Sequence, residues 1–169
     1  YCPSAAGGAG QGARPVSVTG SGPALPTVED TEAFGRALAT NLRAGDLVIL
    51  TGDLGAGKTA LTRGIGAGLG VRGPITSPTF VIARVHPSVV DGPPLVHVDA
   101  YRLGGLTELD ALDLDASLEE SVTVVEWGHG VAESLSEDVL EVTLIVDPAT
   151  EERTARIAAH GRRWEGVRW

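Results

Sequence analysis

Gly52-Asp53-Leu54-Gly55-Ala56-Gly57-Lys58-Thr59 is the stretch on which the reading of this chain turns. It satisfies the pattern Gly-x4-Gly-Lys-Thr of a Walker A loop. Before it stands Leu47-Val48-Ile49-Leu50, a short apolar run bounded by turn signals, which reads as a buried strand. After it a helix is predicted from about Lys58 to Leu69, although Gly64, Gly66 and Gly68 each weaken its second half by roughly 1 kcal/mol against Ala. Strand, glycine loop and helix in this order make a phosphate cradle. Glycines let successive peptide N–H groups curl inward, and the helix N-terminus adds partial positive charge. Lys58 is expected to bring a compact ammonium to the β and γ oxygens of a triphosphate, and the Thr59 hydroxyl to ligate Mg2+. A glycine-rich turn with no ligand is the competing reading, and the flanking elements argue against it.

Composition singles out the same place. The chain has twelve Arg and a single Lys, and that lysine is Lys58. Its 169 residues, 43% apolar and carrying a net charge of −9, suit one soluble globular domain. No apolar run approaches the roughly 18–20 residues of a membrane helix, which excludes an integral helical membrane protein. One cysteine, Cys2, excludes an internal disulfide framework and a cysteine-based zinc site. The acidic total argues against a protein that grips nucleic acid unaided, so no DNA partner is expected.

Working outward, residues 1–26 hold six Gly, four Pro and one charge, Arg14, and read as a disordered tail. They lack the layout of a secretory signal. The chain contains no Met and begins at Tyr1, so its native start is expected to be missing or replaced. Thr27-Val28-Glu29-Asp30 signals a helix start, Phe34, Leu38 and Leu42 share one face, and Ala44-Gly45 is the expected stop. Val81–Val85 and Leu95–Val98 read as a hairpin around a Pro-rich loop at 87–94. The acid-rich stretch 106–121 reads as one or two short helices. Its acids most simply form a solvated face, with a surface for a basic partner as the sharper alternative. Val122–Val125 is a buried strand delivering Glu126, and Val139–Val146 pairs with Arg153–Ala159 across a turn. The predicted fold class is α/β: a single P-loop NTPase-type domain over residues 27–169, with a mixed β-sheet flanked by helices.

A Walker A loop fixes triphosphate binding and leaves the reaction open. The Asn-Lys-x-Asp device of guanine-specific switches is missing and the sole Gln is Gln11, so ATP is favoured over GTP. Glu126, at a strand tip, is the candidate second metal-side residue, direct or through water. Asp99 ends its strand similarly; it either orients or deprotonates the attacking water or forms an ion pair with Arg102. Thr79 is either a switch-type hydroxyl at the γ-phosphate or metal, or a turn residue beside Pro78. Trp127 packs on nucleotide or a partner, or belongs to the core. His86, His97, His129 and His160 show no metal-ligand spacing and read as ordinary histidines.

Four motifs then coincide: Gly-Asp-Leu-Gly-Ala-Gly-Lys-Thr (52–59), Ser-Pro-Thr-Phe (77–80), His-x-Asp-x-Tyr-Arg-Leu (97–103) and Val-Glu-Trp-Gly (125–128). In this order and spacing, over about Leu25 to Gly161, the chain resembles the bacterial TsaE (YjeE) family. The resemblance implies a cytoplasmic ATPase of tRNA threonylcarbamoyladenosine synthesis that docks on the TsaD–TsaB pair and meets tRNA only through that complex. It makes Asp53 and Gly55-Ala56-Gly57-Lys58 the phosphate cradle, Thr59 and Glu126 the magnesium residues, and Asp99 the favoured acid/base group. It also sets Thr31 near the base and Arg156 near the nucleotide, with ATP or ADP and Mg2+ as ligands. Ala60 departs from the family's usual second Thr. Two alternatives to the ATPase are a small-molecule P-loop kinase, for which only Arg63, Arg72, Arg84 and Arg102 lie between Lys58 and Glu126, and an ATP-loaded adaptor that does not hydrolyse.

Overall fold

The computed structural model describes residues 17–53, 55–76, 83–100, 118–127 and 136–169. In chain order these form β1 (Ser17–Ala24), α1 (Val28–Ala39), β2 (Leu47–Thr51), α2 (Lys58–Leu69) and β3 (Ala83–His86). β4 (Leu95–Asp99), β5 (Val122–Glu126), β6 (Val139–Val146), β7 (Arg153–His160) and a 3-10 turn at Arg162–Trp164 follow. The strands make one sheet in the order β1-β7-β6-β2-β5-β4-β3. Its centre is parallel, with β2 between β6 and β5 and β4 beyond β5. The hairpins β3–β4 and β6–β7 are antiparallel, as the sequence predicts, and make the sheet mixed.

β2 shows why a continuous apolar run was required. Leu47, Val48, Ile49 and Leu50 are all fully buried. Val48 and Leu50 pack with Leu61 and Ile65 of α2 and Leu38 of α1, while Leu47 and Ile49 join Val96, Val98 and Val125 on the opposite face. A strand covered on both sides has no solvent face to keep polar. Each such side chain contributes roughly 1.5–3 kcal/mol by leaving water.

α1 begins as read: Thr27 and Asp30 form a reciprocal capping box. It ends at Ala39, five residues before the expected stop, and Leu42 is nonetheless buried. α2 runs unbroken to Leu69 despite its three glycines. Packing explains them. A Cβ on Gly35 of α1 would lie 2.5 Å from the Leu61 carbonyl, and one on Gly64 would collide with the carbonyl of Glu32. The two helices meet backbone to backbone, and this contact outweighs helix propensity.

The expected tail, residues 1–26, is corrected in its second half. Residues 17–24 form β1, antiparallel to β7, with the register shifting between Ser21 and Ala24 around Gly22-Pro23. An edge strand draws its stability from ladder hydrogen bonds, which a Gly- and Pro-containing segment can still make, and Pro is tolerated at an edge bulge. The folded body therefore starts by Ser17. At the other end Arg163 clamps the chain: its Nε and Nη2 donate to Asp46 at 2.9 Å each, and Nη2 donates to the Asn41 carbonyl at 2.7 Å. Among the described residues no helix is long and apolar enough to cross a membrane.

Candidate functional site

Three parallel strands end side by side at one edge of the sheet. Leu50 of β2 is in register with Glu126 of β5, and Glu126 with Asp99 of β4. The loop leaving β2 reaches the N-terminus of α2 at this same edge, the side of an α/β sheet where ligands bind. Gly55 and Gly57 hold φ of 81° and 103°, a region that disfavours any residue with a Cβ. No side chain caps α2 at Gly57, so its first-turn amides keep their capacity to bind an anion.

Lys58 is buried and its Nζ donates to the carbonyls of Gly52 at 2.8 Å and Asp53 at 2.9 Å. The ammonium also lies 4.1 Å from the centre of the Trp127 ring, a cation–π contact. Burial lowers its pKa from the ordinary lysine value, opposed by the negative charges of Glu126, Asp53 and Asp99. Trp127 takes φ of 61°, which turns the chain sharply after β5 and sets the ring on the loop.

Thr59 Oγ1 donates to Glu126 Oε1 at 3.4 Å. A hydroxyl and a carboxylate meeting here are hard oxygen donors of the kind Mg2+ takes. Among the described residues no three His, Cys, Asp or Glu side chains form a metal cage. Two protein donors with the remainder from phosphate and water is the usual Mg2+–nucleotide arrangement, so these residues fit such an ion. Asp99 is buried beside them, across the strand pair from Glu126.

The other named residues divide. Ala56 is buried in the loop and its N–H donates to the Asp53 carbonyl at 3.0 Å. Thr31 is fully buried in α1, with its hydroxyl donating to the Thr27 carbonyl at 3.2 Å. Arg156 is exposed on β7, in register with Thr143, which is in register with Thr51. Thr79, Arg102 and most of 106–121 lie outside the described residues.

Two residues at the site have no role in the sequence reading: Arg153 reads there only as the start of a strand, and His97 as an ordinary histidine within the motif at 97–103. Arg153, at the start of β7, lays its side chain over Gly57: a Cβ there would meet its Nε at 3.5 Å and Cζ at 3.6 Å. That Nε is buried and has no hydrogen-bond partner among the described residues. No local pattern marks it, because the contact joins residues almost a hundred positions apart. His97 is wholly buried with Nε2 2.9 Å from Glu126 Oε1. Here a signal existed: His97-x-Asp99 at strand period places both on the face of β4 that Glu126 shares.

A mixed sheet whose parallel central strands carry a glycine loop and buried lysine at their carboxyl ends, with an acid on the neighbouring strand tip, defines a P-loop NTPase-like α/β protein. Comparison with known proteins narrows the class. The family model for threonylcarbamoyl adenosine biosynthesis protein TsaE matches residues 25–155, and the chain belongs to this family. It is 64% identical over 135 residues to the tRNA threonylcarbamoyladenosine biosynthesis protein TsaE of Streptomyces coelicolor, covering 78% of this chain and 91% of that protein. The protein of the same name from Mycobacterium tuberculosis is 55% identical over 75% of this chain and 80% of its own length. The crystal structure of Bacillus subtilis YdiB superimposes with a TM-score of 0.68 at 30% identity, covering 89% of this chain and 90% of that one. Membership places the chain in threonylcarbamoyladenosine biosynthesis.

Proposed function

We propose that this chain binds ATP with Mg2+ and hydrolyses it, and that it serves threonylcarbamoyladenosine formation on tRNA by acting on the TsaD–TsaB pair in the cytoplasm. The observation that carries the reading is the convergence of Lys58, Thr59 and Glu126 at the mouth of an uncapped helix. In this reading the amides of Gly55, Gly57 and Lys58 hold the β-phosphate, with Asp53 and Ala56 shaping the loop through the hydrogen bond between them. Lys58 leaves the carbonyls of Gly52 and Asp53 for the β and γ oxygens. Thr59 and Glu126 hold the ion, directly or through water. An Mg2+ ion held by these two residues would supply charge neutralisation for the phosphoryl group being transferred.

Asp99 then orients the attacking water and accepts its proton. Water oxygen bonds to the γ-phosphorus as the bond to ADP breaks, giving ADP and inorganic phosphate. Trp127 borders the nucleotide above Lys58, Thr31 and Arg156 lie at its periphery, and Thr79 serves the γ-phosphate or metal. A net charge of −9 suits a subunit that reaches tRNA through partners.

The experiment is phosphate release from ATP by the purified chain, alone and with TsaD and TsaB. Slow release that rises strongly with the partners, without any phosphorylated acceptor, supports the reading. Transfer of phosphate to a small acceptor would make the chain a kinase. Full modification by an Asp99→Ala variant that no longer hydrolyses ATP would make it an adaptor.

A further inference from the structure

We propose that His97 is a positioning residue: it anchors the Glu126 carboxylate and, through it, sets the affinity of the site for the divalent cation that accompanies the nucleotide. This rests on the functional reading above. β4 and β5 run in parallel register with His97 opposite Val124 and Asp99 opposite Glu126. His97 is therefore the diagonal neighbour of Glu126 on the face they share, a separation that an imidazole and a glutamate together span. Its Nε2 lies 2.9 Å from Oε1, the same oxygen that accepts from Thr59 Oγ1.

The hydrogen-bond partners fix the tautomer. A carboxylate offers only lone pairs, so Nε2 carries the hydrogen. Nδ1 is buried without a partner among the described residues, and a hydrogen there would be a stranded donor. The whole hydrogen-bonding capacity of this side chain is thus directed at Glu126. Leu95 on the same strand and Val124 opposite show that apolar residues fill this face of the sheet. Burying an imidazole with one nitrogen unsatisfied is unfavourable against such a residue. What it provides is a charge-assisted bond between two buried side chains that stops the carboxylate from swinging away from Thr59. Groups that orient a metal-binding carboxylate in this way typically change metal affinity about 10–100-fold when removed.

The test measures the calorimetric affinity for a non-hydrolysable ATP analogue twice, with Mn2+ and with EDTA; the ratio reports the metal's contribution alone. In His97→Leu the ratio is expected to fall about tenfold, with the affinity in EDTA held within about twofold of wild type. His97→Gln keeps an amide N–H near the position of Nε2 and is expected to recover most of the loss. Glu126→Gln serves as the reference. An unchanged ratio in His97→Leu beside a reduced one in Glu126→Gln overturns the positioning role and leaves the functional reading standing. An unchanged ratio in Glu126→Gln removes the metal role of Glu126 itself, and the proposal with it. Equal loss in the Leu and Gln variants, a parallel loss of affinity in EDTA, or failure of both variants to fold makes His97 a core strut and refutes the proposal.

Discussion

Replacing Gly64 by Ala sets helix propensity against packing, and the structure decides between them. On propensity alone the substitution would stabilise α2 by roughly 1 kcal/mol. The new methyl, however, would collide with the Glu32 carbonyl oxygen and stand 2.8 Å from Glu32 C and 2.9 Å from Glu32 Cα. All three are backbone atoms of α1, so no side-chain rotation relieves them; the helices must part. Overpacking of this kind costs about 1–3 kcal/mol, and loosening the contacts of Gly35 with Leu61 and Ile65 adds to it. A net destabilisation of about 1–2 kcal/mol is expected, lowering the melting temperature by roughly 2–8 °C at this chain length. Thermal and urea unfolding would measure it, with Gly20→Ala on β1 as control, since a Cβ there meets nothing within 4 Å. A Gly64→Ala protein as stable as wild type, or more so, would refute the backbone-to-backbone packing of α1 on α2.

Two further outcomes follow from buried groups. Arg153→Ala is expected to weaken triphosphate binding about tenfold, the scale of one charge-assisted hydrogen bond, while Arg156→Ala changes it less; calorimetry on the two variants checks the order. His86 is buried on β3 with Nδ1 3.2 Å from the Arg72 carbonyl; burial lowers its pKa below 6.5, opposed by the hydrogen bond to that carbonyl and assisted by Arg84. Below pH 6.5 the unfolded chain takes up a proton that the folded one refuses, so stability falls as pH drops from 6.5 toward the folded pKa. His86→Gln should flatten that part of the melting-temperature profile; an unchanged slope would assign the acid sensitivity to other groups.

The parts of the fold legible in the sequence are those that one local pattern determines. Leu47–Leu50 and Val122–Val125 are continuous apolar runs because both their faces are buried, and the glycine loop announces itself by residue type. β1 was illegible for the opposite reason: its place depends on backbone pairing with β7, which leaves no apolar signature in a Gly- and Pro-containing segment. The glycines of α2 misled for a related cause, since propensity describes an isolated helix and Gly64 answers to a neighbouring one. In the site, Lys58, Thr59 and Glu126 could be read because each sits at a fixed position relative to a strand tip. Arg153 could not, since only the antiparallel return of β7 carries it to Gly57. His97 fell between the two: metal-ligand spacing was the wrong test, and strand alternation with Asp99 was the right one.

The account stands on the loop from Gly52 to Lys58 holding a polyphosphate, and titrating the purified chain with ATP and Mg2+ in a calorimeter measures this directly. Wild type is expected to bind, and Lys58→Ala to bind at least about tenfold more weakly, because the ammonium proposed to move from the Gly52 and Asp53 carbonyls to the β and γ oxygens is lost. No heat of association at millimolar ATP, or equal affinity in the two proteins, would contradict it.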